Sequence, residues 1–237
     1  MLRAALVDVG GTLWPDRATA SPPPGDAVRR LAGVLPGAAP DLLERLRAAL
    51  EEAVTGFSGE LVQDTDGLVL EVAGRLGMPL TAAAAAAVRS AMNAPAAGLV
   101  ELFAGAERLL RTLGELGLRT VIVSNAYWRD AATYRCDLEA FGLLSLVDGI
   151  VSSVDVGRRK PDPAMFLAAL PLAGCEAGEC VMIGNIEEKD VLPALSLGMR
   201  AIRVAPGASH PPVSAAHASV TSLDAAAAAV RELTRLG

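Results

Sequence analysis

The sequence predicts an α/β fold: a Rossmann-like parallel sheet core with an α-helical cap inserted after the first strand. Three observations lead there. The apolar run Ala4-Ala5-Leu6-Val7 ends in Asp8 and the glycine turn Gly10-Gly11, as a short buried strand does. Between about residues 15 and 95 only helical spacing recurs. From about Leu99 onward, strand-like apolar runs alternate with helical stretches, which calls for parallel strands joined by right-handed crossovers. The expected division is a core of residues 1–14 and 100–237 and a cap of residues 15–99.

The insert reads as four helices. Pro22-Pro23-Pro24-Gly25 is a rigid lead-in to the first, which carries Val28, Leu31 and Val34. Pro40-Asp41 starts the second, with Leu42, Leu43, Leu46, Leu50 and Val54 on helical spacing. The third follows Gly67, carries Leu68, Leu70, Val72 and Leu76, and stops at Gly77. Thr81 caps a fourth that runs to about Met92, before the break at Asn93-Ala94-Pro95. In the core, a helix over about 105–116 precedes the strand Arg119-Thr120-Val121-Ile122-Val123. A helix over about 130–141 precedes a strand over about 149–152, and another helix is expected over 162–172. Cys180-Val181-Met182-Ile183 is a strand ending at Gly184-Asn185, and a helix including Asp190 to Leu197 follows. Ala201-Ile202-Arg203-Val204 is the last expected strand. Residues 206–218 read as a loop and Leu223 to Leu236 as the closing helix.

Of 237 residues, 52% are hydrophobic and 20% charged, enough for a packed core. The net charge of −6 and the lack of a basic cluster exclude a general nucleic-acid binder. Cys136, Cys175 and Cys180 are an odd set without CxxC spacing, so neither a disulfide framework nor a zinc site is suggested. A reducing cytoplasm is the expected setting. The first apolar run is too short for a signal peptide. No stretch reaches the ~18 apolar residues of a membrane span. His210 and His217 fall in a Pro- and Ala-rich loop, away from any motif. Trp14 is expected to pack at the cap hinge; Tyr127 and Trp128 either line the entrance or pack at a helix start.

Polar residues sit at four strand ends or adjacent loops: Asp8, Ser124-Asn125, Lys160, and Asn185 with Asp190. Open α/β sheets bind ligands at the carboxyl ends of their strands. This order and spacing resembles the haloacid dehalogenase-like (HAD) superfamily of hydrolases over nearly the whole chain. Asp8-Val9-Gly10-Gly11-Thr12-Leu13 resembles the family's first motif, Asp-x-Asp-Gly-Thr-Leu, except at position 10. Ser124 matches the second motif and Lys160-Pro161-Asp162-Pro163 the third. Gly184-Asn185 with Asp190, followed by Leu197-Gly198, is similar to the fourth, usually Gly-Asp and a second Asp.

The resemblance implies a nucleophilic Asp8 that forms a covalent intermediate, with Lys160 as the second catalytic group. It implies that the Gly10-Gly11 turn with Thr12, the Ser124 hydroxyl, Asn125 and Lys160 hold an anionic group where negative charge builds up. It further implies magnesium on Asp8, the Gly10 carbonyl and position 185, with Asp190 nearby. Asn185 stands where the family has an acid, so magnesium binding should weaken. Gly10 stands where phosphatases of the family keep a general acid–base, a group worth ~10²–10⁴-fold in rate. Asp16, Glu187 and Glu188 are near enough in sequence to compensate.

The leading expectation is therefore phosphatase-type hydrolysis of a small anionic metabolite whose leaving group needs little protonation, such as an acyl or aryl phosphate. A metal-independent 2-haloacid dehalogenase is the alternative, because halide needs no proton; that branch usually has Tyr at position 10. A weakened member that binds or regulates is the third reading. Phosphonate cleavage is set aside because the insert contains no lysine: Lys160 and Lys189 are the only two in the chain.

Overall fold

The computed structural model describes residues 1–16, 23–55, 64–93, 96 and 98–235. Pro22, Ala94-Pro95 and Leu236 lie outside the described residues. Six parallel strands form one sheet in the order β3-β2-β1-β4-β5-β6. They are β1 (Ala4–Val7), β2 (Arg119–Ser124), β3 (Gly149–Ser152), β4 (Cys180–Gly184), β5 (Arg200–Val204) and β6 (Ala218–Val220). β1 lies between β2 and β4, with Val7 opposite both Ile122 and Ile183. Its four residues are wholly buried, which is why an unbroken apolar run encodes it. Strand order reverses between β1 and β4, and the crevice beyond their carboxyl ends is where such sheets bind ligands.

Successive side chains of a strand point to opposite faces, so the sheet has two cores. Ala5, Val7, Ile122, Val181, Ile183 and Ile202 face α5 (Ala106–Glu115), α6 (Ala131–Ala140) and α11 (Leu223–Arg235), meeting Leu109, Leu113, Leu138 and Val230. Ala4, Leu6, Val121, Val123 and Met182 face Met165, Phe166, Ala169 and Ala194 on the other side.

Among the described residues five helices stand between β1 and β2, α5 and before it α1 (Pro24–Val34), α2 (Pro40–Thr55), α3 (Thr65–Arg75) and α4 (Ala82–Ala91). α3 begins before Gly67 because Asp64 caps it, accepting from the Gly67 N–H at 2.8 Å. Thr81 caps α4 by accepting from the Ala84 N–H. Leu31, Leu43, Leu46, Leu50, Val69 and Val88 form a separate apolar cluster, and Trp128, from beyond β2, is buried in it. Arg89 adds ion pairs to Asp66 at 2.8 Å and Asp130 at 3.1 Å.

Three elements depart from the sequence expectation. The stretch 162–172 forms two short helices, α8 (Pro163–Leu167) and α9 (Leu170–Ala173), after α7 (Ser153–Val156). Pro171 supplies no N–H and so cannot continue α8. The stretch after Asn185 opens as a π-helical turn over Glu187–Val191, and only then becomes α10 (Leu192–Ser196). β6 begins at Ala218, the last residue of the segment read as a loop, which pairs with Ile202. Among the described residues no helix is long and apolar enough to cross a membrane.

Candidate active site

Asp8, the first residue past β1, is 6% exposed. Its Oδ1 accepts from Lys160 Nζ at 2.7 Å and its Oδ2 from Thr12 Oγ1 at 3.0 Å. Lys160 Nζ also donates to Asp190 Oδ1 at 2.6 Å and to the Val123 carbonyl at 2.9 Å. An ammonium has three N–H donors, and these bonds use all of them. Asp190 Oδ2 accepts from the Ile186 N–H at 2.9 Å, so both its oxygens are engaged. Burial pushes the Asp8 carboxyl up to about 6; Lys160 pulls it down and Asp190 adds to the rise. For Lys160 burial works against the charge, but Asp190 and Asp8 outweigh it and hold the ammonium above its ordinary range. The group is thus two carboxylates sharing one permanent cation.

Local geometry holds this group in place. Gly184 lets Asp190 approach: a Cβ there would lie 2.4 Å from the Asp190 Cγ. Gly11 has φ +75°, and a Cβ on it would meet Asn185 Nδ2 at 2.1 Å, so only glycine meets both demands. Asn125 accepts from the Lys160 N–H at 2.8 Å and donates to the Lys160 carbonyl at 3.0 Å, clamping that residue's backbone. Ser124 Oγ lies 2.8 Å from the Tyr134 hydroxyl, which burial pushes up to about 12. The Gly11 N–H donates to the Trp14 carbonyl at 2.7 Å. The residues that the motifs bring together do meet. The three donors of Lys160 are bonded inside the protein, one of the two Asn125 amide N–H groups goes to the Lys160 carbonyl, Ser124 shares its hydroxyl with Tyr134, and the Gly11 N–H goes to Trp14.

A cavity of about 180 Å³ opens above this group. Asp8, Gly10, Asn125, Lys160, Asn185 and Asp190 line it, joined by Asp16, Tyr127, Arg159, Ile186 and Lys189. Arg159 is 8% exposed; its guanidinium lies 4.4 Å from the Tyr127 ring centroid and donates to the Ala126 carbonyl at 3.3 Å. No motif assigns Arg159 or Lys189 a role; the signal in the sequence is that Lys160 and Lys189 are the two lysines of an arginine-rich chain, and both line this cavity. Of the three acids near enough in sequence to replace a carboxylate at position 10, Asp16 alone lines it. Glu187 instead accepts from Ser214 Oγ at 2.6 Å and the Ala215 N–H at 2.8 Å, anchoring that loop.

The donors for a hard cation are an Asp8 carboxylate oxygen and the Asn185 side-chain oxygen. The latter is buried and has no hydrogen-bond partner among the described residues. Magnesium prefers such oxygens, so the pair fits it, with one carboxylate and one neutral amide rather than two carboxylates. Among the described residues no cluster of three His, Cys, Asp or Glu side chains forms a metal site. Trp14 is wholly buried beside Tyr134 and Phe141, with ring centroids at 6.4 and 5.4 Å, so it packs in the core. His217 belongs to the β5–β6 edge, where its Nδ1 accepts from the Ala201 N–H at 3.3 Å. A larger cavity of about 840 Å³ between α5 and α11 shares no lining residue with the site.

A family model described as haloacid dehalogenase-like hydrolase matches residues 2–198. A phosphoglycolate phosphatase of Cereibacter sphaeroides is 30% identical over 193 residues, covering 77% of this chain and 86% of that protein. A glyceraldehyde 3-phosphate phosphatase of Methanopyrus kandleri is 26% identical, covering 87% and 85%. The chain spans half or less of the length of the curated relatives it matches at highest identity. Among solved structures, a 2-haloacid dehalogenase from Pseudomonas syringae superposes with a TM-score of 0.63 at 20% identity, over 98% of this chain and all of that one (100%). At that identity the likeness describes the fold.

Proposed function

The chain belongs to the haloacid dehalogenase-like hydrolase family, and on that premise we propose that it hydrolyses a small phosphorylated metabolite through an aspartyl intermediate at Asp8. The observation that carries this reading is the buried Asp8 carboxylate held 2.7 Å from Lys160. With its acidity at about 6, Asp8 is ionised at neutral pH and nucleophilic. In the first step an Asp8 oxygen bonds to phosphorus and the P–O bond to the leaving group breaks, its electron pair leaving with that group. In the second, water attacks phosphorus, the Asp8–phosphorus bond breaks with its electron pair returning to the carboxylate, and the proton of the water leaves with the released phosphate. Lys160 keeps two neighbouring carboxylates tolerable in a dry site and fixes the Asp8 oxygens in place. Asn125 and Thr12 act as positioning residues, one through the Lys160 backbone and the other through Asp8 Oδ2. Magnesium held by Asp8 and Asn185 would supply positive charge to the phosphoryl oxygens.

At about 180 Å³ the cavity has room for a phosphoryl group beside Asp8. Position 10 bears no acid, so leaving groups that depart without a proton are favoured. Acyl and aryl phosphates should therefore be turned over well and alkyl phosphates poorly. Gly10 is not among the glycines with positive φ, so its backbone accepts a side chain. Gly10→Asp should raise turnover of an alkyl phosphate by about 10²-fold or more while changing that of an aryl phosphate little. Equal wild-type rates on both esters, unmoved by Gly10→Asp, would refute this account of the site.

One observation favours a second reading. Gly10 and Asn185 remove the two acids that phosphate chemistry uses, and halide displacement from a 2-halo acid needs neither. Metal-independent chloride release from 2-chloropropionate, without phosphate release from any ester, would select it.

A further inference from the structure

We propose that Cys175 and Cys180 form a reversible oxidation site: a hydroperoxide oxidises the half-buried Cys175, and the buried Cys180 closes on it as a disulfide. Both are free thiols here, and the third cysteine, Cys136, is exposed on α6, across the sheet from them. The two sulfurs stand 3.4 Å apart, so closing by about 1.4 Å brings them to the ~2.05 Å of a disulfide. Between them lies the tight turn Glu176-Ala177-Gly178-Glu179. The Glu179 N–H donates to the Glu176 carbonyl at 3.0 Å, and the Glu176 N–H donates to a Glu179 carboxylate oxygen at 3.1 Å. The Arg3 N–H donates to the Glu179 carbonyl at 2.8 Å, docking the turn on the chain that enters β1. The pair is therefore held together by the backbone around it.

The two thiols differ in access. Cys180 is 0% exposed at the first position of β4, opposite Ala4. Burial, and next the Cys175 sulfur, push its thiol up, so it stays protonated and inert to oxidant in solvent. Cys175 lies half-buried just past α9, so an oxidant meets it first. Its sulfur attacks a peroxide oxygen; the S–O bond forms, the O–O bond breaks, and the leaving oxygen takes up the thiol proton. Cys175 loses two electrons to the peroxide and becomes a sulfenic acid. The Cys180 sulfur then attacks the Cys175 sulfur; the S–S bond forms, the S–O bond breaks, and hydroxide leaves as water with the Cys180 proton. Oxidation thus stops at a bond that thiols can reduce, short of the irreversible sulfinic acid. The site is at the amino end of β4, whereas Asn185 follows its carboxyl end, and no step involves Asp8 or its cavity.

The test treats the full chain with hydrogen peroxide, counts free thiols in denaturant and maps the linkage by peptide mass. In wild type the map should join Cys175 to Cys180 and leave Cys136 outside the bond. Cys136→Ser should lose both remaining thiols and regain both with dithiothreitol. Cys180→Ser should leave Cys175 as a sulfenic acid that dimedone traps, and without the trap it should go on to the sulfinic acid. Cys175→Ser should keep the Cys180 thiol intact under the same treatment. Two free thiols persisting in peroxide-treated Cys136→Ser, or a wild-type linkage through Cys136 in place of the 175–180 bond, would overturn the proposal. So would sulfinic acid forming at Cys175 equally fast with and without Cys180.

Discussion

The two lysines of this chain line one cavity and are held in it differently. On the floor, Lys160 is 4% exposed and every donor of its ammonium is bound to the protein. On the wall, Lys189 is exposed to solvent on a π-helical turn. The floor holds the reacting carboxylate in a fixed electrostatic setting, whereas the exposed Lys189 has no comparable set of buried bonds among the described residues. Motif matching finds the first kind of residue readily. The second kind depends on which neighbours the fold turns toward the cavity.

The widest separation between floor and wall should appear in stability. Lys160→Ala leaves Asp8 and Asp190 buried without their cation, and should cost about 3–5 kcal/mol in urea unfolding. Lys189→Ala should stay within about 0.5 kcal/mol of wild type, as exposed substitutions do. Similar values for the two would erase the distinction drawn between them.

A smaller effect concerns pH. Because burial raises the Asp8 carboxyl to about 6, protonation on the acid side removes the nucleophile. With an aryl phosphate, kcat/KM should fall by roughly tenfold per pH unit below that value and level off above it. An acid limb in the ordinary carboxylate range instead would mean that Asp8 is not desolvated as this packing requires. Wall residues should not shift the limb, since it reports Asp8 and the pair of charges facing it.

Much of the fold was legible because its central strands are buried on both faces. Val121-Ile122-Val123 and Val181-Met182-Ile183 are unbroken apolar runs, and the helices α1 to α4 declare themselves by spacing and by caps such as Thr81. β6 was not legible: Ala218-Ser219-Val220 is three half-buried residues at the sheet edge, paired only through β5. The π-helical turn was equally hidden, since it precedes Pro193 and carries four charged residues in a row. At the site, strand ends pointed to Asp8, Lys160 and Asp190 and brought them within hydrogen-bond reach. What no local pattern encodes is how their donors are spent. Lys160 and Asp8 are 152 residues apart, and Asn125 lies 35 residues from the backbone it clamps.

The central claim is that Asp8 carries a covalent phosphatase-type step. Its most direct test measures phosphate release from an aryl phosphate with magnesium, comparing wild type with Asp8→Asn. That variant keeps the shape of the side chain and its bond to Thr12 but is not a nucleophile. The account predicts steady turnover by the wild-type protein and none above background by Asp8→Asn at equal folding. Release by Asp8→Asn at a rate near that of wild type would contradict it.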